Sequence, residues 1–164
     1  MSQHMDNNIL SLVIDSFWKI LKPGLLMTIA PTLISFFFSL IIATVTALVQ
    51  YRKIPVLQKV ARFYIWVIRG TPLLVQLFVV FYGLPSLGVL IDPFPAAILV
   101  FSINEGAYSA ETIRAAIESV PVGQLEAGEC IGLTWLQSMR RIVLPQALRT
   151  AFPTLFNSLI CMVK

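Results

Sequence analysis

One carboxylate stands out against its surroundings. The run from Phe94 to Ile103 is apolar, and it continues as Asn104, Glu105, Gly106, Ala107, Tyr108, Ser109, Ala110 and Glu111. A charge at the centre of a membrane segment costs about 2.5–3.5 kcal/mol on insertion scales, so such a residue is a functional candidate by default. Asn104 adjoins Glu105, and Tyr108 lies three residues on, on the same helix face. That face offers a carboxylate and a phenol to an amino group in a path between subunits. The alternative is that Glu105 pairs with another span and only holds a bundle together. Gln76, Ser102 and Asn157 are polar residues within apolar runs; each lines a path or hydrogen-bonds a neighbouring helix. Arg69 precedes Gly70, Thr71 and Pro72 at the start of an apolar run. It suits a headgroup anchor at the membrane surface, with gating or capture of a substrate carboxylate as the alternative. Glu111 and Arg114, three apart, suit an internal ion pair.

Nothing points to catalysis by the chain itself. The single histidine, His4, lies at the N-terminus, so no His-based triad or metal cluster forms. There is no Gly-rich phosphate loop with a lysine. We therefore expect no metal site and no cofactor bound by this chain. Two cysteines are too few for a disulfide scaffold. Cys130 is expected as a small buried residue and Cys161 as apolar filler.

The elements that must position these residues are membrane helices. The 164 residues are 57% apolar and only 12% charged, with mean hydropathy +0.84. A soluble domain carries about 25% charged residues, so a plain cytosolic enzyme is excluded, and disorder needs the opposite composition. Gly24 to Gln50 gives 27 uncharged residues, enough to cross a core of about 30 Å with tilt. It is too long for a signal peptide. Pro31 is expected near its start, where a lost hydrogen bond costs least. Gly70 to Ile91 is a second uncharged run of 22 residues, closed by Asp92, Pro93 and Pro95. A third starts near Phe94. A fourth starts near Thr150 and reaches Val163; ending at Lys164, it suggests a product cut short within a span. The expected fold is all-α, a polytopic membrane bundle of four spans or part-spans.

Tyr51 to Thr71 holds Arg52, Lys53, Lys59, Arg62 and Arg69 with no acid, which marks a cytoplasmic segment. Asp92 is then outside, the stretch from Arg114 to Arg149 inside, and the N-terminus outside. Residues 1–23 read as an extension. Within it, Leu10, Val13, Phe17 and Ile20 recur at helical spacing with Asp15 and Lys19 between them, which suits a helix lying on the outer surface. Met5 is a second possible start. Residues 24–164 form the transmembrane domain.

Ser119 to Ala147 is too ordered for a connector. Pro121 suits a helix start and Gly132 a helix stop. Thr134 and Gln137 have capping-box spacing, and Pro145 is expected to end the second helix. Leu125, Trp135, Leu136 and Met139 supply apolar contacts within the pair. A DNA-binding helix pair is disfavoured, since nearby acids make a poor phosphate binder.

This segment resembles the EAA motif of bacterial ABC importer permeases: Glu126-Ala127-Gly128, three residues, Gly132, nine residues, then Ile142-Val143-Leu144-Pro145. Gly128 stands where many members have a second alanine. Arg69-Gly70-Thr71-Pro72-Leu73-Leu74-Val75-Gln76 and the run from Asn104 to Glu111 resemble the polar amino acid subfamily, and within it the permeases of L-cystine importers. The resemblance covers roughly residues 15 to 164. It implies a type I importer permease fold, with coupling helices at about 119–145 that sit in a groove of a cytoplasmic ATPase, and a fifth span after the fourth. It carries that coupling role onto Glu126, Ala127, Gly128, Gly132, Leu133 and Thr134. It also implies a second permease subunit, identical or not, and two ATPase subunits that hold ATP and Mg. A periplasmic or extracellular binding protein and surrounding lipid complete the partners, with no nucleic acid. The expected place is the bacterial inner membrane, multi-pass, with the extension on the periplasmic side. An ATP-independent channel or scaffold is the alternative function.

Overall fold

The structure is a computed structural model that describes the backbone of residues 2–163 and the side chains of residues 16–163. The side chains of Leu10, Val13 and Asp15, part of the expected surface-lying helix, lie outside the described residues. Helix α1, Ser2–Tyr51, runs unbroken through residues 23 and 24. Its portion Ser16–Tyr51 is 36 residues long and is the one helix among the described residues that is by itself long and apolar enough to cross a membrane. Pro31 does not start this helix but lies well inside it, where it removes the amide that the Met27 carbonyl would otherwise receive.

A short break leads to α2, Pro55–Gly70, with its proline at the helix start. The uncharged run that follows is not a straight span. Thr71 precedes Pro72, which pushes it to extended backbone (φ −113°, ψ 135°). The chain therefore bends by 101° between α2 and α3, Leu73–Ser86. Fourteen residues reach only about 21 Å, short of the hydrocarbon core. Residues 87–92 form a turn in which Gly88 takes φ +84°. Within α3 the segment Val79–Gly83 winds as a π-helix.

Helix α4, Pro93–Glu118, is the central element. One stripe of α1 is buried: Thr32, Ser35, Ser39, Ala43, Ala47 and Gln50, at three- and four-residue spacing. Its partner on α4 is equally small, with Ala96, Ala107 and Ala110 buried. Small side chains let two membrane helices approach closely. Gly106 is the tightest point. A Cβ there would sit 2.9 Å from Ile42 Cγ2 and 3.1 Å from Tyr64 Oη. Tyr64 in turn donates to the Ile103 carbonyl at 2.6 Å, which fastens α2 to α4. We expect Gly106→Val to cost about 1–3 kcal/mol by overpacking, read as a lower unfolding temperature in detergent. Gly123→Val, where a Cβ meets open space, should leave that temperature within error.

Helix α5, Val122–Cys130, is short. Helix α6 joins Trp135–Ser138, a π-helical turn Met139–Val143 and Leu144–Val163 into one rod. One expectation is corrected here. Pro145 does not end this helix: the apolar segment from Thr150 continues a rod that begins at Trp135. The π turn supplies the reason. A proline has no amide to give residue i−4, and its ring presses on that carbonyl. The wider turn just before it shifts the register, so that the Leu144 amide bonds the Met139 carbonyl five residues back. The core joins α1, α4 and α6 through Ala43, Ala47, Ile113, Ile117, Met139 and Val143. Arg52, just past the end of α1, stacks 4.1 Å above the Trp135 ring.

Candidate functional site

Two places carry the residues singled out above. The first is a cavity of about 520 Å³ where α4 meets α6 and the start of α3. Phe101, Asn104, Glu105 and Tyr108 line it from one face of α4, and Asn157 and Ser158 from α6. Glu105 accepts a hydrogen bond from Ser109 Oγ at 2.6 Å, within its own helix. It makes no salt bridge among the described residues, and it also takes a hydrogen bond from Ser158 of α6, so it joins two helices as well as facing the cavity. The carboxylate, amide and phenol thus converge on one space, joined by Asn157 from 52 residues further along the chain. Ser158 and Cys161 line the same space and were missed. Their spacing around Asn157 on a helix is the signal that finds them. Cys161 is exposed and lines this cavity.

The remaining polar candidates sit elsewhere. Gln76 fixes the bend: its Nε2 donates to the Ile68 carbonyl (2.9 Å), the Thr71 carbonyl (3.1 Å) and Thr71 Oγ1 (2.8 Å). Its Oε1 accepts from Asn104 Nδ2 at 3.2 Å, so it orients a cavity residue without lining the cavity. Ser102 is buried on another face and donates to the Ile98 carbonyl of its own helix. Arg69 holds its guanidinium 5.1 Å over the Tyr108 ring. Deeper along α4, Arg114 bonds Glu111 at 2.8 Å and Glu118 at 2.7 Å, the expected ion pair extended to a triad. These bonds, Glu111's first, hold the Arg114 guanidinium above its ordinary pKa.

The second place is the corner between α5 and α6. Gly132 takes φ +76°, the left-handed region where a side chain is strained. Its amide bonds the Glu129 carbonyl (2.9 Å) and the Leu133 amide bonds the Gly128 carbonyl (3.0 Å), the paired bonds of a Schellman stop. Two residues on, Thr134 and Gln137 close the predicted capping box: the Thr134 amide donates to Gln137 Oε1 at 2.9 Å, and the Gln137 amide to Thr134 Oγ1 at 3.4 Å. Glu126, Ala127 and Thr134 are exposed. Leu125, Trp135 and Met139 pack inward as expected, whereas Leu136 is 69% exposed. Ile131 is exposed beside it, and Cys130 is exposed where burial was expected. The corner therefore presents an apolar surface flanked by two acids, Glu126 and Glu129.

Gly128 is buried and faces inward, not toward a partner surface. A Cβ there would lie 2.6 Å from Ser138 Oγ. That hydroxyl is buried with no hydrogen-bond partner. Gly128→Ala should therefore lower the unfolding temperature, while adding Ser138→Ala should recover most of the loss. Ser138→Ala alone should be neutral or stabilising, since an orphaned buried hydroxyl costs about 1–3 kcal/mol. A double-variant cycle in detergent measures this coupling.

Comparison with known proteins decides the family. Residues 39–164 match the binding-protein-dependent transport system inner membrane component. The chain belongs to this family. The match includes the cavity on α4 and α6 and the whole α5–α6 corner.

Relatives within the family agree. The chain is 50% identical over 153 residues to the L-cystine transport system permease protein TcyB of Bacillus subtilis, covering 93% of this chain and 65% of that one. It is 40% identical over 154 residues to the arginine transport system permease protein ArgU of Corynebacterium glutamicum, covering 85% of this chain and 48% of that one. It thus spans less than two thirds of the length of either. Both are named as transport permeases, not enzymes. A crystal structure of an amino acid ABC transporter with histidines superposes with TM-score 0.83 at 38% identity, over 93% of this chain and 71% of that one. The fold is the all-α fold of type I ABC importer permeases. Membership also places the chain in an inner membrane.

Proposed function

We propose that this chain is the membrane-spanning permease subunit of an ATP-driven importer of polar amino acids, with L-cystine the first substrate to test. One observation carries the coupling half of this reading: the α5–Gly132–α6 corner, a rigid turn locked by two backbone bonds and a capping box, whose exposed surface combines Glu126 with Ala127, Ile131 and Leu136. Rigidity of that kind suits force transmission, and Glu126 offers a charge to a partner arginine or backbone amide. Leu133 and Thr134 set the direction in which α6 leaves the corner. The partner is a cytoplasmic ATPase, two copies of which carry ATP and Mg.

The cavity supplies the other half. Glu105, Asn104, Tyr108 and Asn157 present a carboxylate, two amides and a phenol to a substrate ammonium and its polar flanks. A second permease subunit, the same or different, closes the path. Closure of the ATPase pair turns the bundle outward to receive substrate from an external binding protein, and hydrolysis resets it. This is alternating access, in which the two states differ in affinity for substrate. The orientation follows the bases: residues 51–71 and 114–149 inside, Asp92 and the N-terminal extension outside, in a multi-pass arrangement.

The test is to purify the complex and measure ATP hydrolysis with and without the external binding protein loaded with an amino acid. Stimulated hydrolysis that drives uptake into vesicles supports the proposal. Flux of amino acid without ATP would assign the chain to a channel instead.

A further inference from the structure

We propose that a recess between the end of α1 and α2 holds the phosphate of an anionic lipid, with Arg62 and Arg69 as its cationic partners. The recess is about 470 Å³ and is lined by Gln50, Arg62, Trp66, Arg69, Tyr108 and Glu111 among others. Arg62 and Arg69 lie two turns apart on α2, about 10 Å along the axis, so their long side chains flank one headgroup. Neither forms a salt bridge among the described residues. The acid in the recess is already engaged: Glu111 binds Arg114 at 2.8 Å and takes the Gln50 amide at 3.4 Å. With Arg62, Arg69 and Arg114 set against Glu111 and Glu118, the recess keeps an excess positive charge that an anion neutralises.

Position argues for a lipid as its source. Pro93 to Glu111 is 18 residues, about 27 Å along α4, so the recess sits near the far boundary of a core about 30 Å thick. Along α4 the neighbours of α2 change in depth: Arg62 lies with Glu111 and Glu118, and Ile68 and Thr71 with Leu99 and Ile103, so α2 enters the leaflet from its Arg62 end. Val60, Phe63 and Trp66 are 63%, 63% and 72% exposed on α2, beside the basic residues. Acyl chains cover these apolar side chains while the arginines at the Arg62 end of α2 reach the headgroup. The headgroup anchor expected of Arg69 thereby becomes a two-arginine site with a defined pocket. This inference rests on the bilayer placement of α2 and α4, not on ATPase docking or on the Glu105 cavity, and its test reads neither transport nor ATP hydrolysis.

The experiment is native mass spectrometry of the chain in neutral detergent, titrated with phosphatidylglycerol, phosphatidylcholine or inorganic phosphate. We expect phosphatidylglycerol to be retained over phosphatidylcholine, and millimolar phosphate not to displace it. Arg62→Gln with Arg69→Gln should weaken retention about tenfold or more, at roughly one basic contact each, whereas Arg140→Gln with Arg141→Gln should not. Should the double variant lose its helical circular dichroism, the single variants carry the same test at about half the logarithmic effect. Equal retention of phosphatidylcholine, displacement by phosphate, or retention unchanged in the arginine variants would overturn the proposal.

Discussion

Replacing Gly132 by valine should abolish the association of this chain with its ATPase and reduce ATP-driven uptake at least tenfold, while the chain stays in the membrane. Gly132 sits at φ +76°. A β-branched residue held there costs about 1–3 kcal/mol. The chain relieves that strain by leaving the left-handed region, which breaks the Gly132–Glu129 and Leu133–Gly128 backbone bonds together. Helix α5 then leaves α6 at a different angle, and the surface of Glu126, Ala127, Ile131 and Leu136 no longer presents one face. Asparagine tolerates this conformation better than other side chains, so Gly132→Asn should keep a measurable part of both association and uptake. Co-purification of the ATPase with wild type, Gly132→Asn and Gly132→Val, in that descending order, checks the expectation. Equal recovery for all three would remove the corner from the coupling path.

Glu105→Gln should weaken uptake roughly 10- to 100-fold while leaving assembly and ATPase association intact. The magnitude is that of losing a hydrogen bond to a charged group, about 1.5–3 kcal/mol. Glutamine is close in shape, and its carbonyl still accepts from Ser109 Oγ, so the helix and its packing keep their bond. Only the charge facing the cavity is lost. The effect should fall mainly on the substrate concentration giving half-maximal uptake. Asn157→Leu should act in the same direction from the opposite wall. Unchanged uptake in Glu105→Gln, with normal expression, would leave the cavity without a role in substrate passage.

What the sequence revealed follows the range of the interactions involved. The Gly132 stop and the Thr134–Gln137 capping box are written within six residues, and both form as their spacing predicts. The face of Asn104, Glu105 and Tyr108 is equally local, being set by helical repeat alone. Its opposite wall is not: Asn157 and Ser158 reach it only because α6 packs along α4. Pro145 misled because a proline's usual effect was overridden by the π turn at Met139–Val143, a register shift that no local signal announces. Thr71 and Pro72 did signal extended backbone, yet the apolar run through them read as one straight span, and only the bend shows α3 to be too short. Gly128 was assigned a partner surface from its motif. Its neighbour is Ser138 of the same chain, ten residues on, and the intervening turn brings the two together.

The most direct measurement places a photo-crosslinking residue at Ile131, which is 74% exposed beside the corner, and irradiates intact membranes. The account predicts one product joining this chain to an ATP-binding subunit, lost when Gly132→Val is combined with it. It also predicts no such product from Phe152, exposed 21 residues further along the chain on α6. A product formed only with lipid, or with a second copy of this chain, would contradict the assignment of this corner as the ATPase dock.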